Sequence, residues 1–187
     1  MSALVSTPYI IFITPTVKFD FDFELKKLID SLDFTHKFDR SNRYAVLFGK
    51  LEYNYGNVRH HPISLNSNSL VNRIYNKVSD LFPYLTFNSA LVNYYPDSHA
   101  VIRLHADDEP DIKNNTVILT LSLGGSRTIN FVHKHTHNTI CSYYIEHGEF
   151  IIFSKSSQAK FLHGILDEDK TKFSPEPRIS FTFRHLI

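Results

Sequence analysis

The sequence predicts a mainly β protein with a helical N-terminal part (α+β), whose core is a double-stranded β-helix, the jelly roll of cupin-like proteins. From about residue 86 the chain consists of short β-rich runs separated by turn residues, and no helices alternate with them as a parallel α/β sheet would require. Before residue 86, apolar residues recur at helical spacing. The length of 187 residues and the hydrophobic content of 42% predict one domain over 1–187, with helical support in 1–85 and the jelly roll in 86–187.

The first third is predicted to hold a strand over 9–13 and then two helices. The first helix covers 20–33, and its apolar stripe consists of Phe21, Leu25, Leu28, Ile29 and Leu32. The second follows capping residues in 64–69 and ends before Pro83, because proline cannot continue a helix. Its stripe consists of Leu70, Ile74, Val78 and Leu81. We expect both stripes to face the core.

Eight β-rich runs form the rest of the chain. They cover 87–95, 100–105, 116–123, 127–133, 139–145, 149–153, 160–163 and 178–184. Strands of this length and spacing are typical of two packed antiparallel sheets.

The composition excludes several classes of protein and site. A formal net charge of +1 argues against a strongly basic, nonspecific nucleic-acid binder. Cys141 is the single cysteine, so any metal must be held by histidines and carboxylates. The sequence has neither the roughly 18 consecutive apolar residues of a membrane span nor the layout of a secretory signal. We therefore expect a soluble, cytoplasmic monomer that does not bind membranes.

His105 and Asp107 form a candidate metal site. They follow a predicted strand two residues apart, and such residues point to the same face of an extended chain. A second imidazole from a distant strand, for which His163 is the best candidate, would complete the two-histidine, one-carboxylate triad of non-haem iron(II) sites, with open positions for a cosubstrate and oxygen. Taken alone, a His-x-Asp tripeptide equally fits a solvated strand end.

The other histidines fit a metal site less well. His133, His135 and His137 alternate around a predicted hairpin tip, and we interpret them, like the loop pair 60–61, as solvated or facing a substrate. His147 lies at a predicted turn, which makes it a poor ligand.

The run 178–184 alternates strictly, so that Arg178, Ser180, Thr182 and Arg184 share one face of a strand. A buried guanidinium needs an anionic partner, and its planar fork matches a carboxylate. Two arginines on one interior face therefore predict a dicarboxylate ligand such as 2-oxoglutarate. The alternative is an exposed edge strand whose polar face lies in water.

Six motifs in order resemble the signature of the AlkB family. They cover 91–184, about half the chain, and consist of Asn93-Tyr94-Tyr95, His105-Ala106-Asp107-Asp108-Glu109, Leu121-Ser122-Leu123-Gly124, Glu146-His147-Gly148-Glu149, His163-Gly164-Ile165 and the run from Arg178 to Arg184. An ordered series is more specific than any one of its motifs.

The resemblance implies a role for each matching residue. His105, Asp107 and His163 would bind Fe(II); Asn93 and Arg184 would contact the C1 end of 2-oxoglutarate; and Tyr95 and Arg178 would hold its C5 carboxylate. Ser180 stands where the family often has Asn. Loss of one neutral hydrogen bond there costs only about 1 kcal/mol, so we expect activity to survive.

The segment 37–61 combines a local net charge of +3, histidines uncounted, with many aromatic residues. Cations can meet phosphates while aromatic faces stack on a base. The run 48–56 also looks like the nucleotide-recognition lid of AlkB-like demethylases, so Arg43, Phe48, Tyr53 and Tyr55 are candidate substrate contacts. In the alternative, the tyrosines pack a β-hairpin on the helices.

Asp108 is a further candidate for substrate contact. It points away from Asp107 in an extended chain, and the family resemblance implies that a carboxylate here faces the methylated base. A carboxylate suits a cationic lesion such as 1-methyladenine or 3-methylcytosine. Glu109 is interpreted as a local hydrogen-bond partner.

The sequence thus predicts an Fe(II)-, 2-oxoglutarate- and O2-dependent demethylase of single-stranded nucleic acid. The compact length, the end soon after Arg184, the scarce methionine and the tyrosine-rich lid resemble AlkB domains of plant RNA-virus replicases, which favours RNA over DNA. Two alternatives remain open. One is a 2-oxoglutarate-dependent hydroxylase or demethylase of a protein or small molecule, and the other is a noncatalytic jelly-roll module that binds nucleic acid.

Overall fold

The computed structural model describes residues 2–5, 11–13, 24–166 and 176–187. Within them the α-helices are α1 (Leu25–Asp30), α2 (Ser69–Leu81) and α3 (Lys155–Gln158). The strands are β1 (Ser2–Val5), β2 (Ile11–Ile13), β3 (His36–Phe38), β4 (Arg43–Gly49), β5 (Tyr53–Tyr55), β6 (Val58–His60), β7 (Pro62–Ile63), β8 (Ser89–Tyr95), β9 (Ile102–His105), β10 (Val117–Gly124), β11 (Arg127–His133), β12 (Thr139–Ile145), β13 (Phe150–Ser154), β14 (Phe161–Ile165) and β15 (Arg178–Arg184).

Two antiparallel sheets form the jelly roll. The large sheet has the order β1-β2-β13-β10-β15-β8-β4-β3, with β7 parallel to β4, and the small sheet has the order β12-β11-β14-β9. A buried cluster between them includes Leu91, Ile118 and Phe153 from the large sheet and Phe131 and Ile165 from the small one. The predicted fold class and all eight predicted β-rich runs are confirmed, with bounds shifted by at most two residues.

The other face of the large sheet is covered by the helices. A second cluster joins Leu28 of α1 and Ile74 and Val78 of α2 to Phe181 and Phe183 of β15. Asn68 caps α2 by accepting a hydrogen bond from the Val71 amide. The described members of both predicted stripes therefore pack on the core, although Leu81 at the end of α2 is 40% exposed.

Two N-terminal predictions fall partly outside the described residues. Residues 9 and 10 of the predicted first strand lie there, and Ile11–Ile13 form β2. Residues 20–23 of the predicted first helix lie there too, and α1 begins at Leu25. None of the helices in the described ranges is long and apolar enough to cross a membrane.

The large sheet extends into the first 85 residues, which were expected to supply helices and a lid. β4 pairs with β8 over six register positions and is buried along nearly its whole length. Its apolar core, residues 44–48, is typical of a strand covered on both faces. β5 and β6 form a hairpin whose turn residues, Gly56 and Asn57, both have positive φ, as a type I′ turn requires.

Candidate active site

His105, Asp107 and His163 converge in the space between the two sheets. His105 ends β9, and β14 places His163 directly opposite it in register. The potential ligand atoms of the three residues lie within 4.8 Å of one another, and the two imidazole centroids are 4.3 Å apart. Among the described residues this is the one grouping of His, Cys, Asp and Glu close enough to hold a metal ion.

The chemistry of this triad fits a divalent cation. Burial alone would raise the pKa of Asp107, but Arg184 and the two histidines hold it at about 2. Burial lowers the pKa of His163 to about 3 and also lowers that of His105. An ionised carboxylate beside two neutral imidazoles is the protonation state that metal binding requires. The buried Oδ1 atom of Asp107 accepts no hydrogen bond from the described residues, which leaves it available as a ligand.

Protein contacts fix the rest of Asp107. Its Oδ2 atom accepts a hydrogen bond from Arg184 Nη2 at 2.7 Å, and its backbone amide donates to Gln158 Oε1 at 3.0 Å. The Arg184 guanidinium also lies 5.0 Å from the Tyr53 ring centroid. Arg184 therefore orients the metal ligand itself, whereas the sequence suggested only a contact with the C1 end of 2-oxoglutarate.

One pocket holds the triad together with every residue predicted to bind the cosubstrate. Its lining includes His105, Asp107, His163, Asn93, Tyr95, Arg178, Ser180 and Arg184. Pairing between β8 and β15 explains the convergence, because Tyr95 lies opposite Arg178 and Asn93 opposite Ser180. β15 is a central strand buried on both faces, which excludes the alternative of an exposed edge strand.

Arg178 is the strongest sign of an anionic ligand in this pocket. Its side chain is 1% exposed, and burial lowers its pKa. Nε donates to Ser122 Oγ at 2.9 Å, and the guanidinium carbon lies 4.9 Å from the Tyr95 ring centroid. Nη1 has no hydrogen-bond partner among the described residues. A buried guanidinium with an unused N–H group is costly unless an anion completes the site.

Arg43 connects this pocket to a second cavity. It is 4% exposed, donates a hydrogen bond to Asn93 Oδ1, and lies 4.2 Å from the Phe38 ring centroid. The second cavity is a groove lined by Phe38, Arg40, Arg43, Tyr55, Arg103, His105 and Glu109, among others. Tyr55 and His105 line both cavities, so the groove leads from exposed Arg40 and Arg103 to the metal triad.

The structure does not bring all predicted substrate contacts to this groove. Phe48 is 2% exposed in the second cluster, because residues 44, 46 and 48 point to the opposite face of β4 from Arg43. Tyr53 is fully buried and donates a hydrogen bond to Glu109 Oε2 at 2.9 Å. Asp108 lines neither cavity and forms an exposed ion pair with Lys134 at 2.7 Å. Asp39 and Glu109 are the carboxylates that line the groove.

Several functional contacts could not be found from sequence. Gln158 lies in the short helix α3 and belongs to no recognisable sequence motif, yet its side chain accepts a hydrogen bond from the Asp107 backbone amide. The bond between Arg43 and Asn93 joins residues 50 positions apart. His147, judged a poor ligand, accepts a hydrogen bond from the Gly124 amide at 2.9 Å.

Comparison with known proteins finds a matching family model and several relatives. The family model described as 2OG-Fe(II) oxygenase superfamily matches residues 36–184. Alpha-ketoglutarate-dependent dioxygenase alkB homolog 3 of Mus musculus is 30% identical over 156 residues, which cover 76% of this chain and 51% of the relative. The Homo sapiens protein of the same name is 27% identical over 150 residues, with the same two shares.

A second relative and one solved structure are more distant matches. DNA oxidative demethylase ALKBH2 of Bos taurus is 27% identical over 125 residues, covering 63% of this chain and 44% of the relative. The solved structure of OsALKBH1 aligns with 76% of this chain and 78% of its own, at 19% identity and a TM-score of 0.48. The chain spans about half the length of the mouse and human relatives.

Proposed function

The chain belongs to the 2OG-Fe(II) oxygenase superfamily, and from this membership and the geometry of its site we propose that it removes N-methyl groups from nucleic-acid bases. Membership of this family implies Fe(II), 2-oxoglutarate and O2 as cofactors. The observation that carries the proposal is the pocket in which the triad meets Arg178 and its unused Nη1.

The residues of the pocket divide the work of such a reaction. His105, Asp107 and His163 would hold the metal, and Arg184 keeps the Asp107 carboxylate ionised and oriented. Arg178 and Tyr95 would bind the distal carboxylate of 2-oxoglutarate, while the amide nitrogen of Asn93 remains available as a donor because its oxygen accepts from Arg43. When bound, iron with the cosubstrate and O2 supplies the oxidation of the methyl group.

Apolar side chains around the triad shield the reacting methyl group. Hydroxylation of an N-methyl group gives a hemiaminal, which releases formaldehyde and the unmodified base. The apolar lining, which includes Leu91, Ile129, Ile151 and Phe153, limits access of water to the methyl group before it is oxidised. A shielded pocket of this kind favours reaction with the bound substrate over side reactions.

The groove supports a methylated base as substrate. Exposed Arg40 and Arg103 can meet phosphates, and the rings of Phe38 and Tyr55 line the path to the triad. We propose that Glu109, rather than Asp108, faces a cationic base such as 1-methyladenine or 3-methylcytosine. We propose a base in a single strand as the substrate, and RNA as the polymer, because the sequence resembles AlkB domains of plant RNA-virus replicases.

Reconstitution with Fe(II), 2-oxoglutarate and air tests this function. The substrates are matched RNA and DNA oligonucleotides carrying 1-methyladenine or 3-methylcytosine, and mass spectrometry measures loss of the methyl group. We expect demethylation, faster on RNA, and its loss in the Asp107→Ala protein. Release of succinate without demethylation of any oligonucleotide would contradict the proposed substrate and favour a protein or small-molecule hydroxylase. Faster turnover on DNA would contradict only the choice of polymer.

A further inference from the structure

Arg127 is a fully buried arginine outside the predicted set of site residues. It begins β11 in the small sheet and spreads its guanidinium over three backbone carbonyls. Nη1 donates to Ser126 O at 2.9 Å, and Nη2 donates to Asp97 O at 2.9 Å and to Glu176 O at 3.0 Å. A forked cation with several donors can join chain segments in this way, whereas a lysine offers a single point.

Two of these carbonyls flank the residues proposed to bind the distal carboxylate of 2-oxoglutarate. Asp97 follows Tyr95 by two residues, just beyond the end of β8, and Glu176 precedes Arg178 by two residues, just before β15 begins. Tyr95 and Arg178 are register partners. Arg127 therefore holds the end of β8 and the start of β15 together by hydrogen bonds, next to Tyr95 and Arg178.

Two glycines permit the close approach on which these contacts depend. A Cβ atom on Gly125 would lie 2.4 Å from Glu176 O, and one on Gly124, whose φ is +89°, would lie 2.4 Å from Pro177 O. The Gly125 amide donates to Pro177 O at 2.8 Å. The turn between β10 and β11 thus packs directly against the chain that enters β15.

The charge of Arg127 also affects the surroundings of Arg178. Burial first, and then the nearby positive charge of Arg178, lower its pKa to about 10. Guanidinium groups stay charged at neutral pH, so Arg127 adds a second buried cation near Arg178, although Arg127 itself does not line the pocket. An anion bound to Arg178 gains from the charge of Arg127 as well, because water screens buried interactions poorly.

We propose that Arg127 is a positioning residue for the distal carboxylate of 2-oxoglutarate, acting through the strand ends that carry Tyr95 and Arg178. The inference rests on the proposed function, because it concerns the cosubstrate of that reaction. It predicts that loss of Arg127 weakens recognition of the distal carboxylate and leaves recognition of the 2-oxo acid end unchanged.

Two ligands distinguish recognition of the distal carboxylate from recognition of the 2-oxo acid end. The protein is loaded with Mn(II), which replaces Fe(II) without turnover, and calorimetry gives the Kd of 2-oxoglutarate and of 2-oxopentanoate, which lacks the distal carboxylate. In Arg127→Met we expect the Kd of 2-oxoglutarate to rise about 10- to 100-fold, by analogy with the loss of a residue that orients a metal ligand. The Kd of 2-oxopentanoate should change by less than about twofold. Arg127→Lys, which retains the charge but not the fork, should fall between wild type and Arg127→Met.

Controls separate positioning from general damage. Arg73→Met removes an exposed arginine and should bind both ligands like wild type. Circular dichroism shows whether each variant is folded, and Mn(II) affinity shows whether its triad is intact. If Arg127→Met does not fold, the comparison of the two ligands in Arg127→Lys tests the positioning role. An equal loss for both ligands, or no loss for either, would overturn the inference. Failure of the wild-type protein to bind 2-oxoglutarate would contradict the proposed function itself.

Discussion

The two carboxylate oxygens of Asp107 have different environments. One oxygen accepts a hydrogen bond from Arg184 at 2.7 Å, and the other is buried 3.5 Å from His105 Nε2 without a hydrogen-bond partner among the described residues. Sequence identified Asp107 as a ligand from its spacing to His105, because residues two apart share a strand face. It could not identify Arg184 as the ion-pair partner, since that contact joins residues 77 positions apart and depends on how the two sheets pack.

The ion pair predicts a loss of stability that is independent of the metal. Asp107→Ala leaves the buried Arg184 guanidinium without its carboxylate, and such a loss costs roughly 3–5 kcal/mol. Urea unfolding of the metal-free protein measures it. Asp108→Ala is the matched control, because its exposed ion pair with Lys134 contributes at most about 1 kcal/mol. Equal effects of the two changes would contradict the buried pair.

Arg43 and Arg40 line the same groove but should have separable roles. Arg43→Met removes the donor that fixes the Asn93 amide, and we expect about tenfold weaker 2-oxoglutarate binding, as for other outer-shell partners. Arg40→Met removes only an exposed cation, so it should leave cosubstrate affinity unchanged while the salt dependence of oligonucleotide binding falls by about one unit of slope. Calorimetry and salt titration measure the two quantities. Identical profiles for the two variants would refute this division.

At the scale of elements, β15 could be read almost completely from sequence. Its strict alternation assigns Arg178, Ser180, Thr182 and Arg184 to the pocket and Ile179, Phe181 and Phe183 to the helix-covered face, as observed. β4 was harder, because its charged and aromatic neighbours suggested a lid. Phe48 was therefore wrongly predicted to contact substrate. The sequence does not give the pairing of β4, and without that pairing the face on which a residue lies is undetermined.

The β5–β6 hairpin predicts a pH dependence of stability. His60 is fully buried beside His36, and burial, followed by the charges of His36 and Arg43, lowers its pKa to about 4. Between pH 6.5 and 4 the unfolded chain binds a proton at this position that the folded protein does not. Stability therefore falls as the pH falls through this window, with a slope of up to about 1.4 kcal/mol per pH unit.

A pair of neighbouring histidines tests this contribution. Urea unfolding from pH 7 to pH 4 should show a shallower slope for His60→Gln than for wild type. His61→Gln, which changes an exposed histidine paired with Glu52, should retain the wild-type slope. A wild-type slope in His60→Gln would show that His60 titrates normally in the folded protein.

For the whole molecule, the jelly roll follows from short antiparallel strands that bury one face between sheets and the other under helices. Hydrophobic patterning was sufficient to predict this architecture, and the resemblance to the AlkB family implied the convergence of distant motifs. It was insufficient for contacts made by loops and strand ends, such as Gln158 with Asp107 and Arg127 with Asp97 and Glu176. Those contacts depend on the final distances between elements, which no local pattern encodes.

The most direct test of the account is anaerobic addition of 2-oxoglutarate to the Fe(II)-loaded protein, with visible absorption spectroscopy as the readout. If the triad and the arginine pocket form one site, a metal-to-ligand charge-transfer band appears in the wild-type protein and is absent in Asp107→Ala. Arg178→Ala should require a higher 2-oxoglutarate concentration for the same band, since breaking a buried charge pair costs roughly 2–5 kcal/mol. Absence of the band in wild-type protein that binds Fe(II) would contradict the account.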